Sequence, residues 1–229
     1  MVAVAPLFDP WSPPPRELRE PGPDADARVI LRGVDWWQYE TILAIRGDRA
    51  GVRIHYLEGE LEIMSPARGH EGTKKAIARL VEAYADELAI ELNGYGSLTM
   101  RSAPKLRGAE PDECYVLGKI GAEDRVDIAI EVIWTSGGLD KLDIYRGLGT
   151  KEVWFWNEGA IEIHALRGNT SERIKRSELL PELDFKKLTS FLNADDQSGS
   201  VRAYRAWLRK RLARRSTSRS KSPQSRRRG

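Results

Sequence analysis

Asp127-Ile128-Ala129-Ile130-Glu131-Val132, preceded by Glu110-Pro111-Asp112-Glu113 and followed by Lys141, is the stretch whose reading decides the fold. On a strand, residues two apart share a face, so Asp127, Ala129 and Glu131 point one way while Ile128, Ile130 and Val132 point into a core. At about 3.3 Å per residue the two acids stand roughly 13 Å apart, too far to share an ion whose oxygen ligands lie at about 2.1 Å. Glu131 therefore needs a partner from another element. Asp112 on a neighbouring strand can supply it, because adjacent strands run only about 5 Å apart.

Working outward, Ser136-Gly137-Gly138 reads as a turn and 139–147 as a helix that stops at Gly149, with Lys141 on its first turn. Upstream, Val34, Trp37, Ile42 and Ile45 lie near helical spacing and predict a helix over 34–46. Val52 to Leu57 and Glu60 to Met64 alternate at period two around Glu58-Gly59, a hairpin signal, with Trp36, Tyr56 and Met64 as core candidates. Ile77, Leu80, Val81, Tyr84, Leu88 and Leu92 recur at three and four and predict a long helix from His70 to about Leu92. Strands are expected near 95–101, 112–117, 125–133, 152–156, 160–166 and 172–176, and helices at 186–193 and 200–213. The expected class is α/β (α+β): a mixed β-sheet core flanked by helices, with an N-terminal helix and β-hairpin.

A chain of 229 residues, 41% hydrophobic and 31% charged, has material for one sizeable core. Seven prolines before residue 24 make 1–26 an extended arm, leaving 27–213 as the single domain. Arg214, Arg215, Arg219, Lys221, Arg226, Arg227 and Arg228 put seven positive charges and no acid in 214–229. Net charge is +3 overall, so residues 1–213 carry −4. The tail is expected to be disordered, either a solvated extension or a source of phosphate contacts. Cys114 is the single cysteine, which excludes an intrachain disulfide and a cysteine-rich zinc site and fits a reducing, cytoplasmic setting. No run approaches the roughly 18 apolar residues of a membrane span, so a soluble protein without membrane association is expected.

Two carboxylates, a carbonyl and water suit Mg²⁺, and Mn²⁺ in its place, which need few protein ligands. An ammonium at Lys141 can hold the attacking water and offset charge building on a phosphorane. Glu71 is an additional candidate ligand, with capping of the helix opening at His70 as the plain alternative. Surface ion pairing is the plain alternative for the whole set, but acids on an otherwise apolar strand are costly unless paired or metal-bound. His55 and His164 sit in strand patterns and read as ordinary strand residues. Asp127 is expected to shape a turn, Glu110 to support the site from outside, Glu113 to face away, and Cys114 to be a small core residue.

At these positions the chain resembles the Uma-two family of restriction-type endonucleases within the PD-(D/E)XK superfamily. The features carrying the resemblance are Leu57-Glu58-Gly59-Glu60-Leu61, Met64-Ser65-Pro66 leading to His70, Pro111-Asp112, the Asp127–Val132 strand, and Lys141 with Tyr145, Gly149, Glu152 and Trp154. The likeness covers roughly residues 34–192. It implies a restriction-endonuclease-like fold, Mg²⁺-dependent cleavage of DNA, and Asp112, Glu131 and Lys141 as the catalytic set. The superfamily's lysine two residues after the second acid is absent, since Ile133 stands there, and Lys141 from the following helix takes its place across a short loop. A homodimer, in which two sites address two strands, is compatible with the chain. An inactive nucleic-acid-binding or assembly module of the same fold is the alternative.

Overall fold

Two sheets share the chain in the computed structural model, which describes residues 26–49, 51–119, 125–132 and 138–220, with 215–220 as helix backbone alone. The first is antiparallel. It contains β1 (Ala27–Arg32), β2 (Arg53–Leu57), β3 (Glu60–Ser65), β5 (Met100–Ser102) and β6 (Arg107–Ala109) in the order β1-β3-β2-β6-β5. The second contains β4 (Leu92–Gly94), β7 (Glu113–Leu117), β8 (Ile128–Val132), β9 (Glu152–Asn157), β10 (Ala160–Arg167) and β11 (Thr170–Ile174) in the order β11-β10-β9-β8-β7-β4. It is mixed, because β8 and β9 run parallel and are joined through α3 (Lys141–Leu148). The expected single mixed core is thus one mixed sheet plus a smaller antiparallel one.

Helix α1 (Trp36–Arg46) starts where Asp35 accepts from Gln38 N at 2.8 Å and the Gln38 side chain accepts in return from Asp35 N at 2.8 Å. That reciprocal cap satisfies two amides left open by the first turn. The β2–β3 hairpin closes through Glu58 and Gly59, both at positive φ (46° and 97°), the conformation a two-residue turn needs to match strand twist. Glu158 and Gly159 repeat the device between β9 and β10.

β8 shows the alternation its sequence predicts. Ile128, Ile130 and Val132 join Ile77, Leu80, Val81 and Tyr84 of α2 (Arg68–Glu87), Leu188 of α4 (Phe185–Thr189) and Tyr204 and Leu208 of α5 (Gln197–Ser220) in the main core. Ala129 faces a second cluster with Cys114, Ile144, Tyr145, Met100 and Ala109, in which α3 and the first sheet meet the second. Val34, Tyr39, Leu43, Ile54, Tyr56 and Leu61 form a third cluster between α1 and the first sheet.

Several boundaries differ from expectation: the strand expected at 95–101 is replaced by β4 before it and β5 at its end, β6 lies where no element was placed, and the helix expected at 186–193 is α4, ending at Thr189. β1 lies where no element was placed, and it shows no alternation because it is an edge strand with Val29 54%, Ile30 38% and Leu31 41% exposed. α2 ends at Glu87 rather than near Leu92, with Ala89 at φ 52°; Leu88 and Leu92 still pack on the core after the backbone has turned, so the apolar rhythm outlasts the helix. α5 continues to Ser220, past the expected tail boundary at residue 213. Arg205 and Arg209 anchor α5 to Asp86 and Glu87 of α2 at 2.5 and 2.7 Å. Residues 1–25 and 221–229, Ile133, Trp134 and Ser136-Gly137 lie outside the described residues. Among the described residues no helix is long and apolar enough to cross a membrane.

Candidate active site

β7 and β8 pair antiparallel with Glu113 opposite Ile130, and the same register carried one step outward sets Asp112 opposite Glu131. Asp112 Oδ2 accepts from Val132 N at 2.8 Å, which fixes the side chain against the partner strand. Both acids are buried, Asp112 to 1% and Glu131 to 2% exposure. Such burial is tolerable only because cations and donors surround them.

Lys141 opens α3, after the Asp140 cap, and its Nζ lies 2.6 Å from Glu131 Oε2. Tyr145, one turn on, donates its hydroxyl to Glu131 Oε1. The spacing of four residues places both groups on one face of the helix. The short loop therefore does not prevent Lys141 from reaching Glu131. Burial opposes the charge on Glu131, but the Lys141 ammonium and His55 more than offset this and hold its carboxyl well below the usual range. Burial and the neighbouring Glu131 and Asp112 push the Tyr145 hydroxyl well up, so it stays a donor.

His55 on β2 is wholly buried, against its expectation as an ordinary strand residue. It stands directly opposite Glu62 of β3, with Nδ1 3.7 Å from Glu62 Oε1 and Nε2 3.5 Å from Glu131 Oε1. At these separations the contacts are electrostatic rather than directed hydrogen bonds. Glu62 also accepts from Leu139 N at 3.2 Å, and a side chain at Gly138 would collide with its Oε2. His70, in the first turn of α2, is the second residue that sequence reasoning missed. Its Nε2 is 2.9 Å from Asp112 Oδ2 and its Nδ1 2.9 Å from Asp26 Oδ2. Burial disfavours a charge on His70, yet Asp112 and Asp26 overcome this and raise its pKa. The available signal was His70 itself, eight residues beyond Glu62 in the family-like stretch.

Glu71 points elsewhere. Its side chain is 41% exposed and pairs with Lys74 at 2.5 Å and Arg53 at 3.2 Å, while Arg53 Nε lies 3.9 Å from Asp112 Oδ1. It reaches Asp112 only through Arg53, in the first helical turn where the dipole favours an acid. Glu110 ties α1 to β2 instead of serving the site, accepting from Arg46 and from Ile54 N at 2.9 Å. Glu113 faces α2 and Glu82, and burial raises its pKa. Cys114 is a core thiol that burial pushes up to about 12. Trp154 is fully buried and donates to Glu152 at 2.8 Å.

Asp127 is structural. It accepts from Leu117 N at 2.9 Å and pairs with Lys151 at 2.9 Å and Arg125 at 3.0 Å. Burial opposes its charge, but Lys151 and Leu117 N prevail and lower its pKa. Asp127→Ala should therefore cost about 2 kcal/mol, reduced from a fully buried pair because both cations are half exposed. Its folded pKa being depressed, the contribution is present above the unfolded carboxylate pKa and lost as pH falls through the folded value. Urea denaturation of both proteins at pH 7 and pH 3 checks this, with the difference between them shrinking at the lower pH.

Among the described residues no three His, Cys, Asp or Glu side chains converge closely enough to cage a metal ion. A hard cation with mostly water ligands asks less, and Asp112 Oδ1 is buried without a hydrogen-bond partner, with Arg53 Nε 3.9 Å away. The donor set of Asp112 and Glu131 fits such an ion. No curated protein matches the chain. A family model described as "Putative restriction endonuclease" matches residues 36–197. Strand-borne acids, a helix-borne lysine and this match over most of the chain agree, and the chain belongs to the Uma2 family of restriction-endonuclease-like proteins.

Proposed function

We propose that the protein is a divalent-metal-dependent endonuclease that hydrolyses phosphodiester bonds of DNA. The observation that carries this reading is the arrangement at Glu131: a buried carboxylate opposite Asp112, with Lys141 Nζ at 2.6 Å. Asp112 and Glu131 would hold Mg²⁺, or Mn²⁺ in its place. When bound, such an ion supplies Lewis acidity at the phosphoryl oxygens and a more acidic water. Lys141 holds the attacking water and offsets the negative charge that builds as it adds to phosphorus. Tyr145 keeps Glu131 aimed at the site. His70 and Val132 N do the same for Asp112. The attacking water gives up a proton to solvent as it adds, the P–O bond to the departing sugar breaks, and that oxygen leaves with a proton drawn from solvent.

One observation favours a second reading, a catalytically silent nucleic-acid-binding or assembly module: both Glu131 oxygens are already engaged, by Lys141 and Tyr145. Incubating the purified chain with supercoiled plasmid in Mg²⁺, in Mn²⁺ and in chelator separates the two. Nicking confined to the metal-containing arms is expected. DNA retention that weakens with salt in all three arms, without nicking, would establish the silent module instead.

A further inference from the structure

We infer that Asp26 and Arg28, which lie outside the family match at 36–197, are positioning residues of the candidate site, Asp26 acting through His70 on Asp112 and Arg28 through Glu62 and His55 on Glu131. The inference rests on the nuclease reading above and extends it to a strand the family does not cover. Asp26 stands immediately before β1 and Arg28 within it, and both are shielded, Asp26 at 7% exposure and the Arg28 side chain at 21%. Each begins a series of contacts that ends on one of the two site carboxylates.

In the first series Asp26, 7% exposed, stands 2.9 Å from His70 Nδ1, and His70 Nε2 stands 2.9 Å from Asp112 Oδ2. Asp26 holds the His70 ring through Nδ1, and the ring in turn sets Nε2 against the carboxylate that would hold the metal. In the second, Arg28 Nε lies 3.4 Å from Glu62 Oε2, Glu62 Oε1 3.7 Å from His55, and His55 3.5 Å from Glu131. Here no directed hydrogen bond joins the histidine to either acid. Arg28 is the outermost charged group of this series and the one whose removal leaves Glu62 without its Arg28 partner. Asp26 also has a purely structural contact, accepting from Ala67 N at 2.8 Å before α2. Asparagine can keep that bond through Oδ1 while losing the charge on His70, so Asp26→Asn separates the two roles.

The test measures Mn²⁺ binding to the full chain by calorimetry, together with kcat and KM for plasmid nicking, in wild type, D26N, R28Q and R28K, with circular dichroism as the folding control. D26N and R28Q should bind Mn²⁺ about 10-fold more weakly and lose a similar factor in kcat, with KM for DNA unchanged. R28K should recover most of both losses. Wild-type Mn²⁺ affinity in folded D26N and R28Q would overturn the inference and leave the nuclease reading standing. A wild-type chain that binds no Mn²⁺ would overturn both. Should D26N not fold, R28Q against R28K decides.

Discussion

Glu131→Gln protein is expected to lose metal-dependent plasmid nicking by at least about 1000-fold, because several kcal/mol of charge stabilisation disappear and each 1.36 kcal/mol is worth a factor of ten. The argument starts from burial. A carboxylate at 2% exposure is retained at considerable desolvation cost, and its three neighbours, Lys141, Tyr145 and His55, all stabilise the ionised form. Glutamine preserves size and can accept through its one oxygen from Lys141 or Tyr145, its amide nitrogen facing the other donor, so the fold should survive with a loss of about 2 kcal/mol. Alanine is the harsher change. It strands an ammonium only 16% exposed and should cost about 3 kcal/mol. The measurement pairs nicking rates with thermal unfolding of the same preparations. Nicking by Glu131→Gln at the wild-type rate would remove this residue from the chemistry and the nuclease proposal with it.

Lys141→Met carries the second large effect, and it separates two jobs of one ammonium. Without the lysine, about 100-fold or more in nicking rate should vanish, the magnitude attached to losing one preorganised positive donor. The second job is electrostatic. Lys141 is the foremost group opposing the effect of burial on Glu131, so its removal raises Glu131 from its depressed value while His55 and Tyr145 still favour the charge. The stability that Glu131 contributes at neutral pH then shrinks. In wild type the folded pKa lies below the unfolded one, so the contribution of Glu131 is present above the unfolded carboxylate pKa and lost as pH falls through the folded value. In Lys141→Met the folded pKa lies closer to the unfolded one, so less of that contribution is present at neutral pH. Midpoints of urea unfolding across pH 3 to pH 8 should therefore converge for the two proteins toward acid and diverge toward neutrality. Parallel curves would mean that the lysine does not govern the ionisation of Glu131.

Much of this arrangement was legible in the residues. The alternation in Asp127–Val132 placed three side chains toward the main core and Glu131 on the opposite face, and the structure bears it out because the period of a strand is fixed by its covalent geometry. The Glu58-Gly59 hairpin was equally readable, since its turn demands positive φ at both positions. His55, His70 and Asp26 were not. Nothing local to His55 distinguishes it from a strand histidine; its role comes from register, which sets it opposite Glu62, and from sheet packing, which brings β2 against β8. Asp26 sits beside a proline-rich arm and reaches the site only because β1 pairs with β3 along its whole length. Periodicity also misplaced the end of α2, since burial of Leu88 and Leu92 reports contact with the core and not the path of the backbone between them.

Contacts across the site span long stretches of chain: Asp26 and His70 are 44 residues apart, Leu139 and Glu62 are 77 apart, and the parallel β8–β9 pairing waits on the α3 crossover. Closing loops of that size costs entropy before any contact repays it, so these pairings form late in folding. A chain still emerging from the ribosome, with α3 not yet made, has neither Lys141 nor Tyr145 to hold Glu131. The candidate centre is thus assembled only after α3 has been made.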